Sequence, residues 1–379
     1  MNFIAQKLPE AGDTVVVGLS GGVDSTVTAL LLKQKGCNVI GVTMSLWKGD
    51  VPELPDGKKL RSSCYGTDKS EDIAECEKFC NENGIPYRVI DVKDEYQKQV
   101  IDYFKAEYRA GRTPNPCIRC NSFVKFGALL EGVQKQGIDY DYFCTGHYAR
   151  IVRPEAGLWH TDAKPAMIAT ALDSVKDQTY FLYRVTHAAL RHTLFPLGNY
   201  TKPEVRAIAK ARGLWTARKK ESMGVCFVGN VGMREFLSEY VAAKPGDIID
   251  RETGAILGRH DGAIFYTLGQ RHGLEVGGGL PYYVVGKDMN RNEVYVSRNI
   301  NDNAMWRTAI SLANLHWIHG APNEADVLRV RLRHRGELKL CQLRGTELFL
   351  TEPERAVAPG QSAVIYAGGV CLGGGIVAG

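Results

Sequence analysis

The sequence predicts an α/β chain, an N-terminal parallel-sheet domain followed by two smaller β-rich domains. Three observations predict it. Strand-like apolar runs alternate with helical runs through the first two hundred residues, the pattern of an open parallel sheet. After about residue 222 the pattern changes to short alternating runs broken by Gly, Asp and Asn, as in barrels and sandwiches. The length, 379 residues, suits two or three domains. Boundaries are expected near 222 and near 297, giving domains 1–222, 223–297 and 298–379.

The elements follow in order. Residues 14–19 (TVVVGL) read as a buried strand, and 25–35 as a helix stopped by Gly36. Residues 38–44 make a second strand, 70–83 an acidic-fronted helix and 87–91 a third strand. Helices at 94–110 and 122–136 lead to a fourth strand at 142–145. A helical stretch is expected at 177–190. Thr201 then caps a helix that ends near Gly213, with Glu204 as capping-box partner and Pro203 harmless in the first turn. One more helix is expected at 231–243. Beyond it, 263–267, 282–285, 293–297, 327–332 and 363–366 read as strands.

Composition bounds the function. Hydrophobic residues are 44 % and charged residues 23 %, so a core can form. Gly 41 and Pro 15 exclude a collagenous or disordered chain. The start lacks a basic-then-apolar signal, and no apolar run approaches the ~20 residues that span a bilayer. A soluble, cytoplasmic chain without a membrane partner is expected. The net charge of +5 permits an anionic partner without requiring one. Ten cysteines scattered through such a chain speak against a disulfide scaffold.

The strongest local signal is Gly18-Leu19-Ser20-Gly21-Gly22-Val23-Asp24-Ser25, between a strand and a helix. Backbone N–H groups and the helix N-terminus gather positive potential for an anion there. Ser20 and Ser25 supply hydroxyls, and Asp24 is a candidate for holding a metal. The loop lacks the Lys of a Walker A sequence and the third-position Gly of a dinucleotide fingerprint.

Ser20–Ser25 resembles the PP-loop of ATP pyrophosphatases, which adenylate a substrate oxygen and release pyrophosphate. Further runs occur in order: residues 111–121 (GRTPNPCIRCN), Thr145-Gly146-His147-Tyr148, Lys176-Asp177-Gln178 and Gly224-Val225-Cys226-Phe227. Together they resemble the tRNA-specific 2-thiouridylases (the MnmA/TrmU family), from Val15 to Pro359-Gly360-Gln361. The resemblance implies a PP-loop ATP pyrophosphatase domain that uses ATP and Mg²⁺. The implied reaction replaces the 2-oxygen of the wobble uridine in tRNA with sulfur from a persulfide sulfur-donor protein. Implied ATP contacts are Gly18, Leu19, Ser20, Gly21, Gly22, Val23, Asp24, Ser25, Met44 and Gly146. Asn115, Pro116 and Cys117 are the implied target-base region. His147, Lys176, Asp177, Gln178, Arg331 and Gln361 are implied tRNA contacts. Cys120 is the implied nucleophile and Cys226 the implied persulfide carrier.

Cys117 is a departure, since some relatives carry Asp there, and the general acid/base stays unassigned. Cys117, Cys120 and Cys226 give an alternative, less favoured than the persulfide, in which three thiols hold an iron–sulfur cluster. The stiff run around Pro114 and Pro116 is expected to be a loop preceding a helix. Arg112 and Arg119 beside it should favour thiolate. Cys76 and Cys80 belong to a buried helical stripe with Ile73. Two basic surfaces suit an RNA backbone. One is the tract Lys202, Arg206, Lys210, Arg212, Arg218, Lys219 and Lys220. The other is a one-faced strand ladder of Arg329, Arg331, Arg333 and Arg335.

Overall fold

The computed structural model describes residues 3–46, 67–154, 165–219, 233–238, 244–277, 280–299, 302–323 and 326–378. Its centre is a five-stranded parallel sheet in the order Tyr87–Asp91, Asn38–Ser45, Thr14–Gly18, Tyr142–Thr145, Thr193–Leu194. Val15, Val16 and Val17 are fully buried, because helices cover both faces of the middle strand. The chain runs outward from Thr14–Gly18 through Asn38–Ser45 to one edge, then returns to its other side as Tyr142–Thr145. That reversal opens a crevice between the carboxyl ends of the two adjacent strands, where open α/β sheets bind ligands.

Helix Val23–Gln34 follows the first strand, and helix Thr67–Glu82 buries Cys76 and Cys80 as its sequence stripe requires. Burial pushes the Cys80 thiol up to about 12, so it is a core group. Helix Lys202–Ala211 has the predicted capping box, with Thr201 N donating to Glu204 Oε2 at 2.7 Å.

Three local expectations change. Pro116 does not precede the helix; it begins it. Pro116–Arg119 is helical and continues as a π-helical segment, Cys120–Ala128, then as Leu129–Lys135. A proline in the first helical turn loses no hydrogen bond, so Cys117 and Cys120 lie on the helix. Residues 177–190 hold only a 3₁₀ turn, Thr179–Phe181, and the short helix His187–Leu190. Residues 263–267 hold a 3₁₀ turn, Ala263–Phe265, in place of a strand. Of the expected helix at 231–243, Met233–Ser238 is helical and the remaining residues lie outside those described.

The β-rich remainder forms two sheets. Ile256–His260, Gly246–Asp250, Glu293–Ser297 and Tyr283–Asp288 make one of four strands. The other has nine. Six of them close on themselves in the order Val370–Val377, Trp306–Trp317, Glu347–Arg355, Lys339–Arg344, Leu328–Arg331, Ser362–Ala367, with the last pairing back to the first. Met167–Ala169, Arg150–Pro154 and Phe3–Ala5 then extend the sheet from Val370 and Cys371. The first 170 residues thus supply three strands to the C-terminal barrel's sheet. No helix among the described residues is long and apolar enough to cross a membrane.

Candidate functional site

The loop after Thr14–Gly18 folds over its own hydroxyls. Ser20 N donates to Ser25 Oγ at 3.2 Å, and Ser25 Oγ donates to the Gly22 carbonyl at 3.1 Å. Gly22 caps helix Val23–Gln34 without a side-chain bond, which leaves the N-terminal dipole facing the crevice. Gly21 has φ +74, a conformation that disfavours side chains, and Asp72 Oδ1 would lie 2.9 Å from a Cβ there. Lys219 backs Asp72 at 2.6 Å and Glu75 at 2.8 Å.

On the neighbouring strand end, Gly146 presses against the loop. A Cβ there would meet Asp24 C and Ser25 N at 2.8 Å, so only glycine permits the approach. His147 is buried among Phe126 and Phe195, and its Nδ1 pairs with Thr145 Oγ1 at 2.7 Å. Burial, then the charge of Lys125, holds His147 well below the usual histidine range, so it acts as a neutral ring.

These elements line one cleft of about 180 Å³. Of the predicted residues it gathers Gly18, Leu19, Ser20, Asp24, Ser25, Met44, Gly146, His147 and Gln178. Val23 belongs to the loop, but its side chain packs into a buried cluster with Tyr148 and Val205. Gln178 holds the wall, accepting from Tyr148 N at 2.8 Å through Oε1. Lys125, on the π-helical segment five residues after Cys120, also lines the cleft. Sequence reasoning missed it, since a lysine in a helix carries no signal of its own.

Asp24 is engaged by the protein itself. Lys202 Nζ donates to both Asp24 oxygens at 2.7 Å, and Tyr148 OH donates to Oδ1 at 3.0 Å. Lys202 was expected on an RNA-facing surface; it is buried instead. Arg206 likewise turns inward to the carbonyls of Ala217 and Lys219, whereas Lys210, Arg212 and Arg218 are exposed. Lys220 lies outside the described residues. Asp24 is the one carboxylate among the described residues lining the cleft, and its charge is already compensated. This donor set fits a magnesium ion carried in on a triphosphate, not one lodged permanently in the protein.

The segment with Cys117 and Cys120 lies where three sheets meet. Gln361 Nε2 donates to Thr113 O at 2.8 Å, and Thr113 N donates to Pro359 O at 2.8 Å. Thr113 Oγ1 faces Thr267 Oγ1 at 3.3 Å. Barrel and four-stranded sheet together fix the approach to Asn115 and Pro116. Cys117 is half-exposed and Cys120 buried. The flanking arginines are committed elsewhere, Arg112 to Glu107 and Arg119 to Gln99. Cys64 and Cys226 lie outside the described residues. Among the described residues, no three His, Cys, Asp or Glu side chains gather as a metal centre would need.

The arginine ladder does not form. The strand ends at Arg331, and the chain turns so that Gly336 N donates to Arg333 O. Arg331 is buried, its Nη1 donating to Asp177 Oδ2 at 2.6 Å. Asp177, itself 2 % exposed, also accepts from Ala171 N at 3.0 Å and Thr179 Oγ1 at 2.8 Å. These two expected tRNA contacts are bonded to each other inside the protein. Lys176 is half-exposed beside them.

Comparison with known proteins decides the family. Residues 13–230 match the model for a tRNA methyl transferase HUP domain, 234–298 that for a tRNA methyl transferase PRC-barrel domain, and 307–377 that for an aminomethyltransferase β-barrel domain. A tRNA-specific 2-thiouridylase MnmA of Bacillus licheniformis is 43 % identical over 98 % of this chain and 96 % of its own. The chain belongs to the tRNA-specific 2-thiouridylase family. Proteins of that name from Streptococcus thermophilus and Enterococcus faecalis are 41 % and 42 % identical, each over 96 % of this chain and 94 % of their own. A solved 4-thiouridine synthetase–RNA complex with bound ATP overlaps 57 % of this chain and 46 % of that one. At 16 % identity and a TM-score of 0.34 it is too distant to bear on function.

Proposed function

We propose that this thiouridylase-family chain is a transferase that uses ATP to replace the 2-oxygen of a tRNA wobble uridine with sulfur. The observation that carries the reading is the single cleft at the sheet's reversal point, where the glycine loop, Met44, Gly146, His147 and Lys125 converge.

The triphosphate lies against the loop N–H groups and the N-terminus of helix Val23–Gln34, with Lys125 opposite. Asp24, locked by Lys202 and Tyr148, keeps the first turn in register. The uridine O2 attacks the α-phosphorus, the bond to the β-phosphate oxygen breaks, and pyrophosphate leaves. O2 is then part of an adenylate, a good leaving group. The terminal sulfur of a Cys226 persulfide, supplied by a donor protein, attacks C2 and AMP departs. The Cys120 thiolate next attacks the Cys226 sulfur, giving a Cys120–Cys226 disulfide and the thiouridine, and a thiol reductant restores the pair. The tRNA contacts put forward are His147, Lys176, Gln178 and Gln361, with Asp177 and Arg331 acting from inside by fixing the wall.

The test is pyrophosphate release from ATP with unmodified tRNA, alongside mass spectrometry of the digested nucleosides. Cys120→Ser and Cys226→Ser should each stop oxygen-to-sulfur exchange while pyrophosphate still forms. A methylated nucleoside made from a methyl donor, with no pyrophosphate, would overturn the reading.

A further inference from the structure

A second cleft, of about 550 Å³, contains none of the phosphate-loop residues. Tyr103, Glu107, Arg112, Arg119 and Arg184 form one side, and barrel residues around Asn314 the other. Three guanidinium groups line it against one carboxylate. That carboxylate is taken: Glu107 accepts from Arg112 Nε at 2.7 Å and Nη2 at 2.5 Å. Arg119 is held rigidly but not neutralised. It donates to the carbonyl and side-chain oxygens of Gln99, and lies over Tyr103 and Phe123 at 4.5 and 4.6 Å from the ring centroids. Arg184 Nη1 donates to Asn314 O at 3.2 Å, reaching across to the barrel. Burial lowers the Arg119 pKa and the nearby Arg184 lowers it further, against the opposing pull of Tyr103 and Glu107. Two like charges thus converge in a polar cleft whose one lining carboxylate, Glu107, is bonded to Arg112, so positive charge is in excess there, an arrangement that an incoming anion relieves.

We propose that this cleft is a phosphodiester-binding subsite, in which Arg119 and Arg184 grip the backbone of the tRNA being modified. The proposal rests on the tRNA reading above and adds the place where the backbone is held. Of the expected RNA ladder, Arg331 is internal and bonded to Asp177, whereas Arg329, Arg333 and Arg335 are exposed but share no continuous strand. Here the half-buried cationic cleft lies beside the chemistry, since Arg119 directly precedes Cys120. A backbone group held there would hand its neighbouring nucleotide toward the segment clamped at Thr113.

The test is tRNA binding as a function of salt for wild type, Arg184→Ala, Arg184→Lys and Arg88→Ala. Arg88 is an exposed arginine bonded only locally, to its neighbour's carbonyl. Each lost phosphate contact should lower the log–log slope by about 0.7–0.9 and weaken binding about tenfold at 50 mM salt. Arg184→Ala should show that loss, Arg184→Lys should restore most of the slope, and Arg88→Ala should match wild type. Titrating inorganic pyrophosphate into the tRNA-free protein identifies the other source of such an anion. A pyrophosphate site lost in Arg184→Ala, with the tRNA slope intact, would overturn the backbone assignment. Normal tRNA binding with unchanged slope in Arg184→Ala refutes the subsite alone. Absence of tRNA binding in the wild type refutes the thiolation reading and the subsite with it.

Discussion

Replacing Gly146 by Ala tests whether the close approach of this strand end to the first turn of helix Val23–Gln34 sets the ATP site. A Cβ there would lie 2.8 Å from Asp24 C and Ser25 N. Both are backbone atoms in the first helical turn, so no side chain can swing away. Reaching an ordinary contact near 3.4 Å demands that the loop or the 145–147 segment move by about 0.6 Å. Overpacking of this kind costs about 1–3 kcal/mol, small enough for the chain to fold. Displacing a reacting group by about 1 Å can cost about 10²-fold in rate. The expected outcome is a tenfold to hundredfold loss in tRNA-dependent pyrophosphate release, with a thermal midpoint within a few degrees of wild type. The salt dependence of tRNA binding should be unchanged, because the second cleft is untouched. A Gly146→Ala enzyme with wild-type pyrophosphate release would refute the argument that this contact positions the triphosphate.

Other outcomes follow from the charges found inside the protein. Lys202→Met leaves the partly exposed Asp24 carboxylate with Tyr148 but without its cation; about 2 kcal/mol of stability should be lost. Its tRNA salt slope should stay as wild type, and a reduced slope would return Lys202 to the RNA-facing surface. Arg331→Ala strands the Asp177 carboxylate, 1 % exposed, and should cost about 3–5 kcal/mol in urea unfolding. Asp177→Asn combined with Arg331→Met should lose less, and an unchanged midpoint in Arg331→Ala would show that the pair is not structural. Stability should also depend on pH. Burial, then Arg335 and Arg331, pushes His334 down to about 4, from about 6.5 in an unfolded chain. The unfolded chain therefore binds more protons in that window, so stability is full above about 6.5 and falls as pH drops toward 4. His334→Phe, which keeps a ring against Phe181, should flatten that fall; an identical pH profile would exclude His334 as its source.

The parallel sheet and the phosphate loop were legible because their signals are local. Three strand-to-helix alternations, a fourth strand and the run Gly18–Ser25 need no knowledge of distant contacts. The strands Tyr87–Asp91 and Glu293–Ser297 match their expected bounds for the same reason. What sequence could not reveal depends on meetings across the chain. Lys202 looks like any helical surface lysine until Asp24, 178 positions earlier, comes within 2.7 Å. Arg331 alternates with apolar neighbours as a ladder rung would, yet Asp177 draws it inward. Phe3–Ala5 and Met167–Ala169, three residues each, are too short to show alternation; the barrel edge they join makes them strands.

That shared sheet has a consequence for the order in which the molecule can be completed. Met167–Ala169 pairs with Val370 and Cys371, some two hundred residues downstream. At a synthesis rate of about 5–20 residues per second, the edge waits about 10–40 s for its partner to be made. Through that interval a ladder of unpaired backbone groups is open to any other extended chain. The α/β half that carries the ATP cleft emerges before the barrel but cannot seal its own flank, so its maturation is tied to residues some two hundred positions downstream. Slowed synthesis or truncation in the barrel should therefore show up as aggregation of the N-terminal half, far from the codons that were changed.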